Sequence, residues 1–245
     1  MGSFRQELES HLKNEAFKSG SRGNDFLRQI ILGGQDGLVN VLGIILGVGK
    51  ATGSSEIVLV SGFAAAFAES ISMGAVAYTT SQAERDHYLA QEKKERREIE
   101  EIPEIEREEI RIIYRKKGFS GKTLEALVRK TTSNKELWLR TMMTEELGLS
   151  PEQGKINPLS EAAIVFVSSL AGSLIPIIPF LFLAIGPATA FSIGITLLTL
   201  FILGYYKGKL TTGKPLLRGL ELGAIGIASA FAGYFIGAVL GKGIG

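Results

Sequence analysis

The chain has 245 residues, with 27 Lys/Arg against 25 Asp/Glu, 30 glycines and no cysteine. Without cysteine there can be no disulfide, thiolate zinc site or thiol catalysis. A net charge of +2, with no basic run interleaved with aromatics, gives no support to nucleic-acid binding. The charge is unevenly spread: residues 84–155 hold 16 Lys/Arg and 16 Asp/Glu, and the rest of the chain is correspondingly apolar.

Residues 1–26 open MGSFRQELES and lack the apolar core of a signal peptide. They predict a cytosolic amphipathic segment with Leu8, Leu12 and Phe17 on one face. Residues 27–83 hold two predicted membrane helices. The first runs from Leu27 to Gly49, enough for the ~20 residues a bilayer requires. A polar turn, KATGSSE (50–56), separates it from the second, which starts near Ile57 and reaches about Thr80. No breaker follows, so this helix is expected to continue into the charged segment. Pro103 disfavours helix at the residue before it and suits the first turn of a new one. One helix is therefore predicted to end near Ile102, and another to run from Pro103 to Lys117, with Gly118 as its stop. Two more follow, Gly121–Thr131 and Asn134–Leu147, with Gly148 as the next stop. Residues 84–155 thus read as a glutamate-rich insert of three helices, with apolar residues at three- and four-residue spacing from Ile110 to Met142. Residues 156–245 carry three more apolar stretches, Pro158–Ala184, Ala188–Tyr206 and Leu216–Leu240; Pro176 and Pro179 predict a kink or unwinding in the first of them.

The fold class that results is all-α: a polytopic membrane protein of five transmembrane helices with a three-helix insert between spans two and three. Lys13, Lys18, Arg22 and Arg28 precede the first span, the insert is rich in Lys/Arg, and Lys207, Lys209, Lys214 and Arg218 lie between spans four and five. The opposite side has only Lys50 and Lys242. The positive-inside rule then makes the insert cytosolic.

Asp36 and Glu69 lie inside the first two spans. A charge at bilayer depth costs at least ~2.5 kcal/mol on insertion scales, so such residues serve a pathway or find a partner. From the ~1.5 Å helical rise, Asp36 and Met73 are expected at one level, roughly 10 Å from the cytosolic surface, with Glu69 deeper at ~16 Å. Glu69 and Met73 share a helix face. Carboxylates with a thioether suit Fe²⁺ or Mn²⁺ better than Mg²⁺ or Ca²⁺. The structural alternative has Met73 filling a helix interface and Glu69 paired with a hydroxyl or lysine. Glu221, one turn from Arg218, reads as half of a local ion pair.

Residues 92–109, EKKERREIEEIPEIEREE, contain nine glutamates. Such a run is often only a solvated helix face. Here Glu95 and Glu98 are three apart, as are Glu106 and Glu109, and Met142, Met143 and Glu146 stand on a later helix. Folding these helices together would gather carboxylates and thioethers, and mutual repulsion would favour a bound cation.

With these residues in view, the chain resembles the vacuolar iron transporter family of divalent-metal/proton antiporters from about Leu27 to Leu240. The resemblance rests on DGLVNVLGIILG (36–47), ISMGAVAY (71–78), the Pro103 segment, MMTEELGL (142–149), LIPIIPF (174–180) and GYYKGKL (204–210). It implies a homodimer with the metal path between protomers. It also implies a cytosolic metal-binding domain with ligands Glu95, Glu98, Glu106, Glu109, Met142, Met143 and Glu146, and a membrane path using Asp36 and Met73. One departure stands out: the family pattern has a glutamate two turns before the ISMG methionine, where this chain has Ala65, and its carboxylate is one turn closer, at Glu69.

The expected function is therefore secondary transport of Fe²⁺, with Mn²⁺, Co²⁺ and Zn²⁺ as further candidate substrates, out of the cytosol in exchange for protons. No organic cofactor is expected. The bilayer is a plasma membrane in a prokaryote or a vacuolar-type membrane in a eukaryote. The alternatives are a membrane-anchored metal sensor and a di-iron carboxylate oxidase. The latter wants two Glu-x-x-His motifs, and the chain has one, Glu84-x-x-His87, with His11 remote.

Overall fold

The computed structural model describes residues 21–211 and 213–241, with side chains from Phe26 onward. The amphipathic segment expected around Leu8, Leu12 and Phe17, together with His11, falls outside the described residues. Every regular element among the described residues is a helix.

Helix α1 spans Ser21–Thr52 and α2 spans Ser55–Glu101. The turn between them is shorter than the expected Lys50–Glu56. Gly53 takes the left-handed conformation (φ +66°), and Ser54 Oγ accepts from the amide of Ile57. Helix α2 runs unbroken through 47 residues to the dipeptide before Pro103. Pro103 occupies the first turn of α3 (Pro103–Lys116), which stops at Gly118 (φ +92°). Helix α4 is Gly121–Thr132 and α5 is Lys135–Thr141. Asn134 caps α5, its side-chain oxygen accepting from the amides of Glu136 (2.9 Å) and Leu137 (3.1 Å).

The helix expected to continue to Leu147 instead changes pitch. Met142–Glu146 form a π-helical turn, closed by the amide of Leu147 on the Met142 carbonyl (3.2 Å). The proline pair breaks the next element as expected. Helix α6 is Pro158–Leu174 and α7 is Ile178–Phe182, and Ser192 Oγ donates to the Pro176 carbonyl between them (2.7 Å). Helices α8 (Ile185–Thr211) and α9 (Pro215–Leu240) complete the chain.

Four of these helices, α1, α2, α8 and α9, are long and apolar enough to cross a membrane. The expected span Pro158–Ala184 is instead a 17-residue apolar helix, α6, followed by the short α7. Proline supplies no amide for the helical ladder, so a continuous rod cannot form there.

The chain divides into two compact units: residues 78–158, and the remainder. In the larger unit, α1, α8 and α9 pack on one another, as do α7 and α8. Glycines let the backbone of α1 approach its neighbours closely. A Cβ at Gly33 would lie 2.8 Å from the Val165 carbonyl, and one at Gly37 would collide with the Ser169 carbonyl of α6. Gly47 faces the Gly233 carbonyl of α9, where a Cβ would come within 2.9 Å. Apolar cores fill the space between, one around Val41, Ile45, Val58 and Ile177 and another around Leu38, Leu200 and Leu222. The smaller unit is centred on Ile110, Leu124, Val128, Trp138, Met142 and Met143.

Candidate metal sites

In the smaller unit, Glu95 and Glu98 leave α2 one turn apart and Glu106 leaves the first turn of α3, just past the Pro103 bend. Each of the three offers a carboxylate oxygen within 4.8 Å of the others. Glu95 and Glu106 are each only 2% exposed, unlike the solvated face that a charge run usually forms. Glu106 Oε2 is buried without a hydrogen-bond partner. An unpartnered buried carboxylate oxygen is costly and is relieved by a proton or a cation.

Burial, together with Glu109, Glu95, Glu98 and Glu146 nearby, pushes the Glu106 carboxyl up to about 7. The Glu146 carboxyl is raised as well, first by burial and then by Glu109 and Glu98. Thus Glu109 and Glu146 belong to the same electrostatic field as the three close carboxylates. Lys94 is a nearby countercharge, 3.1 Å from Glu98 and 3.9 Å from Glu95, and Lys116 acts on Glu146 as well.

Met142 and Met143 are buried in the core of this unit, at the start of the π-helical turn whose last residue is Glu146. Single π turns recur at functional sites because they rotate side chains off the α-helical register. The double methionine and Glu146 were visible in the sequence; the change of pitch was not. Other glutamates, within the run and on the later helices, do pair with arginines at the surface. Glu92 and Glu136 bind Arg96, Glu104 binds Arg107, and Glu108 and Glu125 bind Arg111.

A second polar group lies in the larger unit. Asp36 on α1 and Glu69 on α2 come within hydrogen-bonding reach of one another. Asn40, one turn after Asp36, donates its Nδ2–H to Glu69 Oε1 at 2.5 Å. Glu69 therefore faces Asp36 and Asn40 of α1, where the expected depths had paired Asp36 with Met73. Met73 is half-buried on the face of α2 that carries Glu69, and Ala65 is packed against an apolar core. Asn40 escaped the sequence reading, although a polar residue one turn from Asp36 within an apolar helix is the signal that would have found it. Arg218 and Glu221 form the expected local pair, at 2.5 Å.

A family model described as the VIT family matches residues 27–238. The chain is 35% identical over 231 residues to a protein of Arabidopsis thaliana named vacuolar iron transporter 1, an alignment covering 93% of this chain and 90% of the relative. A Tulipa gesneriana protein of the same name is 32% identical over 86% of this chain and 85% of its own length. A vacuolar iron transporter of Plasmodium falciparum is 33% identical over 97% and 88% respectively. These relatives are named as transporters, which removes the oxidase alternative. Together with its four long apolar helices, this makes the chain an integral membrane protein that belongs to the VIT family.

Proposed function

We propose that this protein carries Fe²⁺, with Mn²⁺ as a second substrate, out of the cytosol in exchange for protons. The observation that carries the reading is the meeting of Asp36 and Glu69, from two separate apolar helices, inside a protein whose relatives are named iron transporters. Two carboxylates in contact repel unless a proton or a cation lies between them. A site that exchanges one for the other has the chemistry antiport requires. The Met73 thioether favours a first-row divalent ion over Mg²⁺ or Ca²⁺.

In this reading Glu95, Glu98, Glu106, Glu109 and Glu146, with Met142 and Met143, collect the cation on the cytosolic side, and Asp36, Glu69 and Met73 pass it through the bilayer. The Lys/Arg distribution supports a cytosolic insert. In the proposed assembly α6 and α7 together form a fifth, broken span, and two protomers associate with the path between them. Broken helices at membrane depth are tolerated where protein surrounds the freed backbone groups, and the Ser192 hydrogen bond to Pro176 is of that kind.

Reconstituted in liposomes, the wild-type protein should move Fe²⁺ with counterflow of protons, and a comparison with Mn²⁺, Co²⁺ and Zn²⁺ should rank its substrates. Asp36→Ala and Met73→Ala should each abolish that flux while the purified protein stays monodisperse. Flux at the wild-type rate in either variant would remove that residue from the path.

A further inference from the structure

We infer that Asn40 is a positioning residue that holds Glu69 against Asp36, so that the two carboxylates form a ready-made seat for a divalent cation. The inference rests on the transport reading above and adds to it a residue that the charge pattern alone does not reveal.

Asn40 Nδ2 donates to Glu69 Oε1 across the α1–α2 boundary. A carboxylate can only accept, so the amide must turn its nitrogen toward Glu69 and leave its own carbonyl oxygen pointing elsewhere. Asp36 lies one turn earlier on the same face of α1, within hydrogen-bonding reach of the same glutamate. Repulsion between the two acids would drive a free glutamate side chain away from Asp36, since it has three rotatable bonds and α2 is exposed at positions 67, 68, 71 and 72 beside it. A neutral amide can oppose that motion without competing for the cation, whereas a lysine in its place would repel the metal. Because Asn40 works before the cation arrives, its loss should weaken binding more than it slows the loaded carrier.

The test uses the full-length protein in liposomes and in detergent. Asn40 is exposed in the protomer, so Asn40→Leu is accommodated sterically, and Asn40→Ala serves as a second form of the same deletion. Removing a hydrogen bond to a charged group should raise the KM for Fe²⁺ about tenfold while keeping the maximal rate. Asn40→Gln, which retains the donor, should recover most of the loss. An unchanged KM, or a fall in maximal rate alone that Asn40→Gln does not restore, would overturn the inference.

A second readout is independent of flux. The infrared carboxyl band identified by its disappearance in Glu69→Gln should shift in Asn40→Leu and return in Asn40→Gln. A band that does not move would show that the contact does not hold Glu69. A wild-type protein that moved no metal would sink the transport reading, and the infrared comparison would still decide whether Asn40 positions Glu69.

Discussion

The unit of residues 78–158 is held together by large side chains: Trp138, Ile110, Leu124, Val128, Met142 and Met143 are buried against one another. The larger unit has apolar cores too, but adds close backbone contact that the smaller one does not use, with Gly33, Gly37 and Gly47 of α1 set against the backbones of α6 and α9. The solvent explains the difference. Water drives apolar surface together, so a charged sequence needs only a modest cluster of apolar residues to fold. In lipid there is no such drive between helices, and close backbone approach supplies the attraction instead. The acidic groups follow the same division. The smaller unit crowds carboxylates around a lysine, whereas the membrane helices hold two carboxylates with one neutral amide.

The harshest way to break this contrast is to add a side chain at a backbone contact. Gly37→Leu drives a Cβ into the Ser169 carbonyl, and neither backbone can give. We expect loss of monodisperse protein in detergent. Ile110→Ala, in the core of the smaller unit, should instead cost ~2–5 kcal/mol and leave a protein that can still be purified. Equal tolerance of the two changes, read by gel filtration and thermal unfolding, would erase the distinction.

The parts of the fold visible in the sequence were those set by local chemistry. Pro103 ends α2, Gly118 ends α3, and the Pro176–Pro179 pair breaks the apolar stretch after the insert, because each of these residues acts on its own backbone. What required the fold is different in kind. The π turn at Met142–Glu146 has an ordinary helical sequence, and nothing in its residue types marks the change of pitch. The pairing of Glu92 with Arg96 and of Glu104 with Arg107 follows from spacing within one helix, but the burial of Glu95 and Glu106 depends on contacts across the Pro103 bend, which that spacing cannot show. Asn40 stands out in the sequence as a polar residue one turn from Asp36, but its partner is seen only once α2 brings Glu69 beside it.

Acidity separates the units with a smaller effect. The Glu106 carboxyl is raised to about 7 in the folded protein by burial and its acidic neighbours. The folded state therefore keeps a proton on Glu106 that the unfolded state releases, so the stability this group contributes is present below its unfolded value and is lost as pH rises through about 7. Glu125 and Glu136, held low by hydrogen bonds to Arg111 and Arg96, titrate below the ordinary carboxylate range and leave this window untouched. Metal-free protein should melt at a lower temperature at about pH 8 than at about pH 5, and Mn²⁺ should raise the melting temperature more at the higher pH, because the cation replaces the lost proton. Glu106→Gln should flatten both trends; the absence of a slope in the wild-type protein would mean that Glu106 is ionised throughout this window.

The mildest change concerns the countercharges themselves. Lys94 lies 3.1 Å from Glu98, and its ammonium is half in water. It offsets the repulsion between the glutamates, and in the proposed site it would compete with an arriving cation for the same oxygens. Lys94→Met keeps the aliphatic stem and removes the charge, so it should lower the melting temperature of the metal-free protein slightly and tighten metal binding. Exposed ion pairs contribute at most about 1 kcal/mol, so the gain in affinity should stay under about fivefold. Titration of the purified full-length protein with Mn²⁺ measures it. If Lys94→Met binds metal more weakly, the lysine is orienting Glu98 as Asn40 orients Glu69, and the two sites would share one strategy in spite of their different solvents.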